Sequence, residues 1–176
     1  MKNLLVITAL GEDRPGIVNE LSKAIVDSGC NIEDSRMTVL GSEFAVILLA
    51  SGKWNELAKL ENCLPHLGRR LNLMVNYKRT EPPHQRVNVL PYAVEVVALD
   101  HPGIVNQLAS FFARREINIR DLATASYAAA HTGTPMFSVH MTIDVPAGTH
   151  IAHLRDEFMD VCDQLNLDAI MEPVKG

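Results

Sequence analysis

The chain has 176 residues, 47% of them hydrophobic and 21% charged, with a formal net charge of −5. This is the composition of a globular protein, and its acidic balance excludes a broad basic surface for gripping nucleic acid. No apolar run approaches the roughly 18 to 20 residues that a bilayer crossing needs, so no membrane partner is expected.

The segment Asn3 to Leu10 is continuously apolar and reads as a strand covered on both faces. Glu12-Asp13-Arg14 follows it with no small-residue cleavage site, so a buried strand is the better reading than a secretory leader, and a cytoplasmic protein is expected. A turn at Gly11 to Arg14 leads to a helix opened by Pro15, with Ile17, Val18, Leu21, Ala24 and Ile25 at helical spacing and Gly29 as its stop. Strands are predicted over Ile32 to Leu40 and Phe44 to Ala50. A second helix begins near Trp54 and is expected to end at Pro65 and Gly68, and a strand over Leu71 to Tyr77 closes the unit.

The polar stretch Lys78 to Val89, centred on Pro82-Pro83, breaks the pattern and reads as a linker. The same order of elements then returns. Strands are expected over Tyr92 to Ala98, Asn118 to Tyr127, Met136 to Val145 and Leu167 to Met171. Helices are expected over Gly103 to Arg115 and from about Thr149 to Leu165. The return is also a repetition of sequence. Residues 13–34, DRPGIVNELSKAIVDSGCNIED, and residues 100–121, DHPGIVNQLASFFARREINIRD, are identical at ten of 22 ungapped positions. Chance would give about one or two, so the chain is an internal duplication.

The fold class predicted is α+β: two ferredoxin-like βαββαβ units, each a four-stranded antiparallel sheet with two helices on one face. Residues 1–78 form the first unit, 79–89 the linker and 90–176 the second. The run Phe44 to Ala50 is apolar on both alternating faces, so the face without helices also needs cover, and a homodimer is expected. Phe44 aligns with Phe137 only after six added residues, about Ala128 to Gly133, which lengthen one hairpin tip.

The motif held in common is D-x-P-G-I-V-N at the junction of first strand and first helix. Asp13 and Asp100 are expected at or beside the helix N-cap, and Pro15 and Pro102 at the first helical position. Gly16 and Gly103 are read as sites of close backbone or ligand approach. The free N–H groups of Gly16, Ile17 and Val18, and of Gly103, Ile104 and Val105, would then face a carboxylate at the positive helix end. Asn19 and Asn106 stand one turn on, and Asn31 and Asn118 recur further along; asparagine is poor in helices and cores, so these pairs ask for a hydrogen-bonding reason. Arg14 faces His101 in the alignment. No Ser, Cys, Lys, His or Glu lies at equivalent positions in both segments, so a shared catalytic group is missing and no enzyme activity is expected.

Three cysteines, Cys30, Cys63 and Cys162, are odd in number and far apart, which argues against a disulfide framework or zinc ribbon. His150, His153, Asp156 and Glu157 fall on the expected solvated side of the last helix and are not read as a metal site. His140, alternating with Val139 and Met141, reads as a sheet-face residue. The helix carrying Arg114 and Arg115 is followed by a strand and is not read as a DNA-reading helix.

Each unit resembles an ACT domain, the ligand-sensing βαββαβ module of amino-acid metabolism. A pair carrying DRPGIV and DHPGIV resembles the glycine cleavage system transcriptional repressor family. The resemblance implies a small amino acid, with glycine a candidate, where the strand 1–helix 1 loop of one domain meets strand 2 of another. By position the ligand residues are Asp13 to Asn19 and Asp100 to Asn106, with Asn31, Ile32, Asn118 and Ile119 facing them. It further implies a repressor without cofactor or metal that acts through a DNA-binding partner rather than on nucleic acid directly. The alternative is a regulatory subunit of an amino-acid metabolic enzyme.

Overall fold

The structure is a computed structural model and describes residues 3–83 and 88–175. The chain divides into two compact units, Met1–His84 and Gln85–Gly176. Part of the expected linker, 84–87, lies outside the described residues, as do residues 1, 2 and 176 at the expected domain ends.

The first unit is β1 (Asn3–Glu12), α1 (Ile17–Asp27), β2 (Asn31–Leu40), β3 (Glu43–Gly52), α2 (Trp54–Leu71) and β4 (Met74–Thr80). The second is β5 (Val89–Leu99), α3 (Ile104–Ala113), β6 (Asn118–Ala128), β7 (Pro135–Pro146), α4 (Ile151–Gln164) and β8 (Asp168–Pro173). Each makes one antiparallel four-stranded sheet, in the orders β2-β3-β1-β4 and β6-β7-β5-β8. The predicted βαββαβ architecture therefore stands in both halves. Sheet pairing takes Arg79, Thr80 and Val89, which the expected linker contained.

Alternation sorts each strand between two faces. Toward the helices β1 and β3 turn Leu5, Ile7, Ala9, Phe44, Leu48 and Ala50, all buried, against Ile17, Leu21 and Ile25 of α1 and Leu57, Leu60, Leu64 and Leu67 of α2. In the second unit Val94, Val96, Val139 and Met141 meet Ile104, Leu108, Leu154 and a cluster of Phe111, Phe112 and Phe158. Those rings lie 5.2 to 5.3 Å apart between centroids, the spacing of favourable tilted and edge contacts. Cys30 and Ile117, equivalent in the repeat, are buried in their respective cores.

Three expectations about where elements begin and end are corrected. Helix α2 does not stop at Pro65; it runs on to Leu71, with the proline inside it. An interior proline leaves the carbonyl four residues back without its helical donor, but the extra turns bury Leu67 and Leu71 against the sheet. Gly68 also stays helical, and its lack of a side chain lets the strand approach: a Cβ there would stand 3.0 Å from the Leu73 carbonyl oxygen and 3.1 Å from Val75. The stop is Asn72, left-handed at φ 53°, with the Leu73 N–H returning to Gly68. Strand β4 accordingly starts at Met74 rather than Leu71. The third correction concerns the helix starts.

Candidate ligand-binding site

The motif puts Pro15 and Pro102 at the first helical position, but α1 and α3 begin two residues later, at Ile17 and Ile104. The N-caps are Gly16 and Gly103, each at φ 96°, and neither helix has a side-chain cap. Pro15 and Pro102 therefore precede the helices, and Asp13 and Asp100 are not N-caps. Glycine is required by its left-handed backbone, not by a close neighbour: a Cβ at either position would meet nothing within 4 Å. The Glu20 and Gln107 N–H groups bond back to Gly16 and Gly103. The amides left without an intrahelical acceptor are thus those of Gly16 to Asn19 and of Gly103 to Asn106, which include the expected three and add Asn19 and Asn106.

The loops are anchored alike. Asp13 donates its N–H to Ser42 at 3.0 Å, and Asp100 does the same to Pro135 at 3.0 Å, tying each loop to the following hairpin. Their side chains differ. Asp100 accepts from the Ser126 hydroxyl at 3.3 Å. Arg14 donates its guanidinium to the Leu71 carbonyl at the end of α2, where a cation meets the negative helix terminus. Among the described residues His101 makes only a local contact with the Pro102 carbonyl, 3.1 Å away. Arg14 is a brace between loop and helix in one unit, and His101 does not reproduce it.

Each unit brings Asp13 to Asn19, or Asp100 to Asn106, to the end of the sheet where β1 or β5 finishes. Val18 and Asn19 are exposed there, as are Asn106 and Gly103, while Ile17 and Ile104 turn inward. Asn31 and Ile32, and Asn118 and Ile119, begin β2 and β6 at the other end, opposite Ser51 and Ala50, and Asp144 and Ile143. A ten-residue strand separates the two groups by about 30 Å. No single unit joins them.

One polar device was not legible from the motif. A bulge interrupts β2 between Ile32 and Asp34, and β6 between Ile119 and Asp121. The bulged residues, Glu33 and Arg120, each serve a buried polar group on the adjacent strand. The Ser51 hydroxyl, 3% exposed, donates to the Glu33 carboxylate. Asp144, also 3% exposed, lies 2.5 Å from the Arg120 guanidinium. The two units hold equivalent positions with opposite charge. The signal in the sequence was Glu33 against Arg120, but the six extra residues of the second hairpin hid the partnership of Ser51 with Asp144.

Several other titratable groups make local contacts. His150 caps α4 by accepting the His153 N–H at 3.4 Å, and His153 pairs with Glu157 at 3.3 Å. His140 faces Glu95 across the β5–β7 ladder at 3.6 Å, the sheet-face setting expected for it. Arg79 on β4 holds Glu61 of α2 through two bonds of 2.7 and 2.8 Å, which keeps that carboxyl below its ordinary pKa. Burial pushes the Cys162 thiol up to about 11. The added residues of the second hairpin close on themselves through Ala129–Thr134 and Gly133–Ala129 backbone bonds of 2.9 Å. Among the described residues, no helix is long and apolar enough to cross a membrane.

Comparison with known proteins joins this geometry to a family. The ACT domain model matches residues 3–78. The glycine cleavage system transcriptional repressor of Escherichia coli (strain K12) is 35% identical over 165 residues, covering 94% of this chain and 87% of that protein. The Methanococcus maripaludis protein UPF0237 MMP0657 is 35% identical over 78 residues, 86% of its own length but 43% of this chain. Among solved structures, one described as a provisional glycine cleavage system transcriptional repressor superposes with a TM-score of 0.75 at 31% identity, over 100% of this chain and 99% of that one. An unknown protein from Galdieria sulphuraria gives 0.82 at 26% identity, over 99% and 100% of the two chains. The duplicated loop, the two sheets and this end-to-end similarity lead to one assignment: the chain belongs to the glycine cleavage system transcriptional repressor family and is a tandem ACT protein.

Proposed function

We propose that this protein is a non-enzymatic, amino-acid-sensing regulator that represses glycine cleavage through a DNA-binding partner protein in the cytoplasm. The observation that carries this reading is the 35% identity to the Escherichia coli repressor across 94% of the chain, spanning both units. The acidic net charge of −5 supports an indirect route to DNA. The ligand sites are the loops Asp13 to Asn19 and Asp100 to Asn106, completed by Asn31, Ile32, Asn118 and Ile119 of another ACT domain. With Arg14 committed to α2, the open amides of Ile17 to Asn19 and of Ile104 to Asn106 receive the carboxylate.

Glycine has five non-hydrogen atoms, and the best tiny ligands reach about −1.5 kcal/mol per atom. The ceiling is therefore about −7.5 kcal/mol, or a Kd of a few micromolar. Such a site tracks a metabolite pool. Calorimetric titration with a panel of amino acids should give saturable heats in the micromolar to millimolar range. Silence across the panel would remove the sensing role. Recovery of an amino-acid metabolic enzyme rather than a transcription factor as stoichiometric partner would replace repression by enzyme regulation.

A further inference from the structure

Helices α3 and α4 of the second unit enclose a cavity of 350 Å³ lined by Asn106, Gln107, Ser110, Phe111, Arg114 and Arg115, with Val161 and Leu165 as its far wall. Three features make it more than a gap between helices. The Gln107 side-chain oxygen is buried and has no hydrogen-bond partner, an arrangement that costs free energy until a donor arrives. Arg115 is fixed as a wall: it stacks 3.8 Å over the Phe111 ring, donates to the Phe111 carbonyl at 3.0 Å, and pairs with Glu157 at 3.1 Å. Arg114, its neighbour in the same lining, makes no side-chain bond among the described residues and is exposed.

The first unit shows what was removed. Gln107 stands where α1 has Glu20, and Arg114 where it has Asp27. The segments Leu71-Asn72-Leu73 and Leu165-Asn166-Leu167 end their helices with left-handed asparagines at φ 53° and 55°, so Arg70 corresponds to Gln164. In the first unit Arg70 bridges to Glu20 at 2.7 Å and ties the helices together. The second unit has lost both charges of that bridge and gained two arginines beside the vacated place.

We propose that the α3–α4 groove of the second unit binds a small carboxylate bearing an N–H donor, its carboxylate on Arg114 and its donor on the Gln107 oxygen. The groove shares only Asn106 with the loop sites and stands independently of them. An amino acid satisfies both groups at once; a bare anion satisfies Arg114 alone.

The test is an amide-resolved NMR titration of the full chain with glycine, L-serine and L-glutamine, with propionate and inorganic phosphate as anions lacking the donor. Saturable shifts at Ser110, Arg114 and Val161 are expected with at least one amino acid, with propionate and phosphate about tenfold weaker. R114A should weaken amino-acid binding about tenfold or more. Q107E/Q164R rebuilds the Glu20–Arg70 bridge in the second unit and should abolish the shifts with a full set of folded-state resonances. No saturable shifts in the groove, equal binding of phosphate and amino acid, or retained binding in Q107E/Q164R would each overturn the proposal. Shifts confined to the loops 13–19 and 100–106 would overturn it while leaving the sensing role intact.

Discussion

Asp144 and Ser51 occupy equivalent buried places, yet one faces arginine and the other glutamate. A guanidinium reaches this buried carboxylate from the bulge; removing or reversing that partner leaves its desolvation less well compensated. R120E should cost about 1–3 kcal/mol of stability, the lower end reflecting the half-exposed arginine. Adding D144S recreates the Ser51–Glu33 arrangement and should recover most of the loss. Urea unfolding of wild type, R120E, D144S and the double variant measures the coupling directly. A double variant no more stable than R120E would show that the two bulges are not interchangeable. A second residue-scale difference lies at Glu116, left-handed at φ 55° and exposed, where the first unit has Gly29 at φ 82°. E116G should raise stability by about 0.5–1 kcal/mol, since relief of the left-handed strain exceeds the added freedom of the unfolded chain. The same logic run backward applies to Gly16: G16A should lose about 1–2 kcal/mol from backbone strain, although no atom blocks the methyl group.

At the scale of elements, α2 holds the clearest test of what its odd residues do. Pro65 is exposed and interrupts a helix whose leucines are buried on both sides of it. P65A restores the N–H to the helix and should raise the urea midpoint by the equivalent of about 1–2 kcal/mol. G68A should do the opposite despite alanine's better helix propensity of about 1 kcal/mol, because its Cβ would press on the Leu73 carbonyl and Val75. These outcomes mark where sequence reading failed. Proline and glycine are stop signals in local terms, but burial of Leu67 and Leu71 and close packing on β4 are tertiary terms that no local pattern contains. The same limit explains the misplaced N-caps: D-x-P-G reads as a capped turn, while the left-handed glycine that opens the helix is visible only in the backbone. What alternation and repetition do encode, namely helix faces, the βαββαβ order, equivalence of the two halves and a buried place for Cys30 in its own unit as for Ile117 in the other, is what the structure shows. The groove of Gln107 and Arg114 was hidden because its meaning depends on a salt bridge seen only in the other unit.

At the scale of the molecule, the two sheets differ on the face that carries no helix. In the first unit that face presents Leu10, Ile47 and Met74, 39%, 50% and 64% exposed, around a cavity of 490 Å³. The equivalent of Ile47 in the second unit is His140, already occupied with Glu95. Apolar area of this kind is stabilised when covered, at about 25 cal/mol per Å²; the second unit's face also carries Val97, Leu99 and Ile170, but with the His140–Glu95 pair among them. If the proposed homodimer forms by covering the first unit's face, a charge at its centre must weaken association, and the same charge at the matching place in the second unit must not. I47K should therefore raise the dimer dissociation constant at least about tenfold, the effect of 1.4 kcal/mol, while H140K leaves it unchanged. Sedimentation equilibrium over a range of protein concentrations distinguishes them, with urea unfolding confirming that both variants fold. Equal effects of the two would place the interface elsewhere, and a wild-type chain monomeric at micromolar concentration would remove the homodimer altogether. Because the ligand loops and the starts of β2 and β6 lie at opposite sheet ends, I47K should also weaken amino-acid binding if a second copy completes those sites. Unchanged binding in a demonstrably monomeric I47K would show that the loops capture the amino acid without a second copy.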